Sequence, residues 1–265
     1  MSKINKAVLK VAQENPEFRR ELLAELKKNS AQEVNVSGKH IFDNARVEDD
    51  AWVGGNARVK DRAWLRDDAV VYEDAVVGGN AKVFGRSHVH HRARVSGNAH
   101  LEGSAKVYGK AVVKGDAFVG GNANVTNDAR VEGEARLEDK AYVAGRAVVK
   151  GKARLEDKAV VEGNARVEGG IVQDSANVRE KAVVQGGWLR GKATVRGEAV
   201  VQGGMVQGNA IVRDKAVVQG GTVGGKAKIG GKAIILDGVW DGSEGEVTEG
   251  EWKSPEDYLA WKNSQ

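Results

Sequence analysis

Apolar and polar positions alternate along most of this chain on a beat of six. Alanine returns at Ala45, Ala51, Ala57, Ala63, Ala69, Ala75 and Ala81, and Val or Leu stands two residues after each. The unit is typified by Val53-Gly54-Gly55-Asn56-Ala57-Arg58. Alternation along a strand puts the alanine and the following valine on the same side, so the small residue fits near a corner and the branched one fills an axis. Six residues suffice for one short strand and one turn, and consecutive hexapeptides read as the sides of a triangle, every third closing a coil.

From Val167 onward the apolar positions Val167, Val172, Val178, Val184, Leu189 and Val195 follow at five, six and six residues, so the coil shortens from eighteen residues to seventeen. Each short side begins with a diglycine, at Gly169-Gly170, Gly186-Gly187, Gly203-Gly204 and Gly220-Gly221, which replaces the inward alanine and tightens the corner. Two residues after the valine nearly always stands Gly, Asp or Asn, the residues that visit positive φ most cheaply. Glu73 and His91 break this rule, and their corners are predicted to be strained or differently wound.

The tandem V-x-x-[N/D/K]-A-x pattern resembles the hexapeptide-repeat superfamily, best known for acyltransferases, over about three quarters of the chain. The resemblance implies an all-β, left-handed parallel β-helix; its handedness comes from the resemblance alone, since the general crossover rule favours the right hand. It also implies a homotrimer of parallel prisms and, in an enzyme, acyl-CoA as cosubstrate with a cleft histidine as general base. Coils stacking at about 4.8 Å would make a prism of roughly 50–60 Å. The domain reading is 1–33 helical cap, 34–238 β-helix, and 239–265 an aromatic, acidic tail with a short helix.

The composition fits, because 35 glycines supply corners while aromatics are only 5%, leaving a core of Val, Ile, Leu and Ala. Without cysteine there is no thiol nucleophile and no zinc-thiolate site, which suits a reducing compartment. No apolar stretch approaches a membrane span, so a soluble, cytoplasmic protein is expected. A net charge of +4, interspersed with acids, gives no basis for nucleic-acid binding.

Both prolines, Pro16 and Pro255, follow good N-caps, Asn15 and Ser254, and each is predicted to open a helix. Ile4, Val8, Leu9 and Ala12, then Phe18, Leu22, Leu23 and Leu26, predict a two-helix hairpin over the first coil, either a cap on exposed strand edges or a docking module. The stretch Asn15 to Leu23 resembles short helical leaders of bacteriophage-encoded proteins. After Ile235 the repeat dissolves into a tail holding Trp240, Trp252 and Trp261, which is too aromatic to be left unpacked.

Function is carried by outward positions, and residues one coil apart share a column. One column runs Arg46, Trp64, Lys82, His100, Phe118, with Arg66, Phe84 and Glu102 beside it; another runs Trp52, Val70, His88, Lys106, with Tyr72, His90 and Tyr108 alongside. His88, His90 and His100 are candidate general bases, and Trp64, Lys82, Phe84, Lys106 and Phe118 could hold a nucleotide-like ligand by stacking and charge. No carboxylate near His88 and His90 in the sequence completes a metal-ligand set, so no metal is expected. The third column ends in Val183, Val200, Val217 and Ile234, a branched apolar stripe that a second subunit or the folded-back tail should cover. Two readings stand: a non-catalytic scaffold or binder, and an acyl-CoA-dependent acyltransferase.

Overall fold

The structure, a computed structural model, describes residues 40–265. The expected helical hairpin of residues 1–33 and the phage-like leader lie outside the described residues. From Arg46–Val47 to Glu251–Trp252 the chain forms thirty-six two-residue strands, which assemble into three parallel 12-stranded sheets. Each sheet takes every third strand in order, so the molecule is a three-sided parallel solenoid of twelve coils. Stacking at about 4.8 Å makes the prism roughly 50–55 Å long.

The inward positions are those the six-residue beat selects. Ala57, Val59, Ala63, Leu65 and their equivalents through Ala233 and Ile235 are fully buried, while the residues between them face out. Removing each valine-sized side chain from water stabilises the stack by about 1.5–3 kcal/mol, offset by chain entropy. One inward site departs from the pattern: Ser87 stands where alanine is usual, fully buried, with its hydroxyl unpartnered.

Corners follow from positive φ. Asp61, Asp67, Asp174 and Asp214 sit at φ 59–62 alongside glycines such as Gly79 and Gly97. The aspartates also tie one coil to the next: Asp61 accepts from the Gly79 amide at 2.7 Å and Asp174 from the Gly191 amide at 2.8 Å. A carboxylate acceptor for a backbone N–H strengthens these hydrogen bonds. Glu73 and His91 adopt the same left-handed conformation, φ 61 and 60, so their corners are strained and wound like the others.

The shortened coil appears in the register. Arg136 pairs with Arg154 at eighteen residues, and Arg154 with Ile171 at seventeen. Gly204 shows why the short corner needs glycine: its φ is +73 and a Cβ there would stand 2.5 Å from the Gly221 carbonyl oxygen. Gly204→Ala is therefore expected to cost more than the about 1–3 kcal/mol of left-handed strain alone, read as a lowered midpoint in urea. An unchanged midpoint would mean that the corner relaxes freely.

The repeat continues past Ile235, where the sequence reading ends it. Val239–Trp240, Glu246–Val247 and Glu251–Trp252 make a twelfth coil, with inward residues spaced five, seven and five from Ile235. Trp240 takes a core position and is fully buried, its indole N–H donating to the Asp237 carbonyl at 2.8 Å. Helix α1 (Pro255–Asn263) then closes the end, with Ser254 as N-cap accepting from the Asp257 amide. Buried Tyr258 packs edge-on against Trp252 and donates to the Glu246 carbonyl, while Lys262 reaches the Glu244 carbonyl. The tail thus packs, as expected, but across the end of the prism and not as a cover along the Val183 to Ile234 stripe.

Candidate functional site

The outward residues singled out in the sequence divide between two faces. Trp64, Lys82, Phe84, His100 and Phe118 stand on the first face, in the sheet that begins with Arg46–Val47. His88, His90 and Lys106 stand on the second face, in the sheet that begins with Trp52–Val53. The structure therefore does not bring the histidines between His88 and His100 into one cleft.

On the first face the rings pack on one another. Trp64 meets Phe84 at 5.0 Å, Phe84 meets His100 at 5.2 Å and His100 meets Phe118 at 5.6 Å, all edge to face. The remaining ring faces are taken by guanidinium groups, Arg66 over Phe84 at 4.4 Å and Arg136 over Phe118 at 4.5 Å. Phe118 lies down on Gly120, where a Cβ would come within 2.6 Å of the ring. Such a column satisfies its own π-surfaces and leaves little for a base to stack on.

His100 has a carboxylate neighbour that the sequence reading did not assign to it: Glu102 Oε2 is 3.5 Å from Nε2, without hydrogen-bond alignment. Burial lowers the imidazole's pKa; Glu102 opposes that shift, while Lys82 and Arg66 add to it. A neutral imidazole is what a general base requires. Its Nε2, however, is occluded and unpartnered between the phenyl rings, so a hydroxyl or amine cannot reach it without displacing them.

The second face is built differently. His90 is stacked between Tyr72 at 4.8 Å and Tyr108 at 5.0 Å, with interplanar angles of 9° and 4°. Trp52 forms the base of this column, lying over Gly54, where a Cβ would meet the indole at 2.5 Å. Tyr72 is only 4% exposed although it points outward. Burial, with the Glu73 charge, raises the Tyr72 phenol. Burial also pushes His90 down to about 3, with His91, His88 and Lys106 adding to the shift, so this ring is neutral at neutral pH. His88 lies between Val70 and Lys106 in the neighbouring column.

At the edge of this column His90 Nδ1 and His91 Nδ1 are 2.6 Å apart, and His91 Nδ1 is 3.3 Å from Glu73 Oε2. The carboxylate missing from the linear reading is therefore present, one coil earlier. The signal was in the sequence: Glu73 and His91 are exceptions at the corners of two successive coils, eighteen residues apart.

The stripe Val183, Val200, Val217 and Ile234 stacks in register on the third face, each side chain half-buried. Around the edge formed by the diglycines, the first face carries Ile171, Trp188, Met205, Thr222 and Val239, with Trp188 51% and Val239 69% exposed. The sequence between the two columns holds no charge over 182–189, 199–208 and 216–225. Earlier coils of the third face are unlike this: Arg58, Arg94 and Arg130 alternate with valines, and Lys114 pairs with Glu132 at 3.3 Å.

Residues 87–189 match the family model Bactofilin, described as polymer-forming cytoskeletal. That segment spans the strands from His88–Val89 to Trp188–Leu189, six of the twelve coils. The match supports a parallel β-helix and does not extend to the acyltransferase superfamily suggested by the repeat. No curated protein and no solved structure matches the chain. Among the described residues no helix is long and apolar enough to cross a membrane.

Proposed function

We propose that this protein is a rigid, non-catalytic scaffold that assembles from copies of itself through the uncharged strip of its later coils. The observation that carries the reading is that strip: two apolar columns, Val183 to Ile234 and Ile171 to Val239, meet around a glycine edge lined by Gln185, Gln202 and Gln219. On a chain that is 29% charged, a charge-free surface spanning several coils is what an interface between copies requires. The polymer-forming description of the matched family model supports the same use. The homotrimer that the resemblance to hexapeptide-repeat proteins implies is the closed form of such an assembly, and a filament is the open one.

The acyltransferase reading draws on His100, whose Nε2 is shut between Phe84 and Phe118, and on His88 and His90, which share no face with it. A nucleotide-like ligand on Trp64, Phe84 and Phe118 would have to displace Arg66 and Arg136 from the phenyl rings. Both sites lie on the early coils, apart from the uncharged strip of the later ones, and neither offers an open binding surface comparable to it.

Light scattering and negative-stain microscopy test the proposal. Wild type is expected to run well above monomer mass, with a discrete trimer marking closed assembly and rods marking open assembly. Val200→Lys/Val217→Lys and Trp188→Lys place charge on outward positions only and should give monomers with an unchanged circular dichroism spectrum. Wild-type monomers at all concentrations would refute self-assembly, and unaltered assembly of both variants would refute the strip as the contact.

A further inference from the structure

Glu73, His90 and His91 present one ligand atom each within 4.8 Å of one another, at a corner where two successive coils both depart from the repeat. Among the described residues, every other positive-φ corner carries Gly, Asp or Asn except Glu180. Glu180 behaves as the aspartates do, accepting from the Gly197 amide of the next coil at 2.9 Å. The Glu73 carboxylate instead faces the His91 imidazole, and His91 has no acid to offer the next coil. Each residue therefore accepts a left-handed backbone, at about 1–3 kcal/mol, without making the carboxylate-to-amide tie that acidic corners such as Asp61, Asp174 and Glu180 make to the next coil.

The geometry points to a divalent-cation site: we infer that Glu73, His90 and His91 bind a late first-row ion of the Zn²⁺ class through Nδ1, Nδ1 and a carboxylate oxygen. Two imidazoles and one carboxylate without thiolate form a nitrogen and oxygen set suited to Zn²⁺, Ni²⁺, Co²⁺ or Cu²⁺ rather than to Ca²⁺ or Mg²⁺. His90 is held rigid by the parallel rings of Tyr72 and Tyr108, so its Nδ1 direction is set before any ion arrives. His91 follows it directly at the bend, which turns two consecutive side chains to the same side. At 2.6 Å one ring donates to the other, and an ion with bonds of about 2.0–2.1 Å takes the place of that proton as the rings part slightly. Side-chain exposures of 57% for His91 and 39% for Glu73 leave room for that movement and for water at the remaining coordination positions.

The test uses full-length protein without a histidine tag, stripped with EDTA and titrated with ZnCl₂ by calorimetry, with CoCl₂ absorption as a second readout. One ion per chain is expected, with a rise in the thermal midpoint on Zn²⁺ addition. Glycine is the usual corner residue here, so Glu73→Gly and His91→Gly should keep or raise the metal-free midpoint. Each should weaken Zn²⁺ binding by about tenfold or more, since loss of a supporting residue alone costs that much. His100→Asn, on the other face, should bind as wild type does. No uptake of Zn²⁺ or Co²⁺ by wild type, full binding by both glycine variants, or loss of binding in His100→Asn would each overturn the assignment.

Discussion

Val143→Asp is expected to prevent formation of the solenoid, whereas Arg130→Ser should pass almost unnoticed. Val143 is fully buried and packs in register between Val125 and Val161, with no polar partner facing it. An unpaired carboxylate there faces a desolvation cost of several kcal/mol, a large share of the about 5–15 kcal/mol that a folded domain has in hand. Coils contact only their neighbours, so a break at this position divides the stack into two shorter rods, each with a raw end. Arg130 is two strands earlier and exposed. Circular dichroism and soluble yield separate the two variants. If both fold alike, the inward assignment is displaced by one residue, since a strand presents alternate side chains to opposite faces.

Trp240→Ala should be the most damaging change near the end of the rod, costing about 3–5 kcal/mol as for other buried aromatics. The indole is fully buried in the twelfth coil and lies 6.1 Å from the Tyr258 ring, so it joins the last valines to helix α1. Removing it leaves a cavity beneath the helix and cuts the link from core to cap. Denaturation in guanidinium should show an early phase confined to the last coil, or a lower midpoint overall. A change below about 1 kcal/mol would mean that Tyr258 and Trp252 alone hold the cap.

The fold was legible because the constraint repeats: the Ala57 and Val59 pair recurs at the same spacing in coil after coil, and the diglycines mark where a coil loses one residue. The twelfth coil was not, because Trp240, Val247 and Trp252 replace small branched residues at spacings of five, seven and five. Columns one coil long could be read directly, as with His100 between Lys82 and Phe118. What a column does was not legible. His88 and His100 are twelve residues apart, two thirds of a coil, and that places them on different faces. Likewise the meeting of Glu73 with His91 depends on side chains leaving a strained corner toward each other, which spacing suggests but does not aim. The continuity of the apolar strip was also hidden, since it joins columns from two faces around an edge whose tightness comes from missing atoms.

The register that stacks Arg136 on Arg154 and Arg154 on Ile171 makes the length of this rod a stepped quantity. Adding or deleting one whole coil changes it by about 4.8 Å and leaves every later side chain on its own face. A change of a single hexapeptide does something else: it preserves all inward residues yet turns everything downstream by one third of a revolution. The strip of Val183, Val200 and Val217 would then move to a different side of the prism relative to the Tyr72, His90 and Tyr108 column. Insertions in multiples of six thus act as a dial for the angle between two surfaces, and multiples of a full coil act as a ruler for the distance between them.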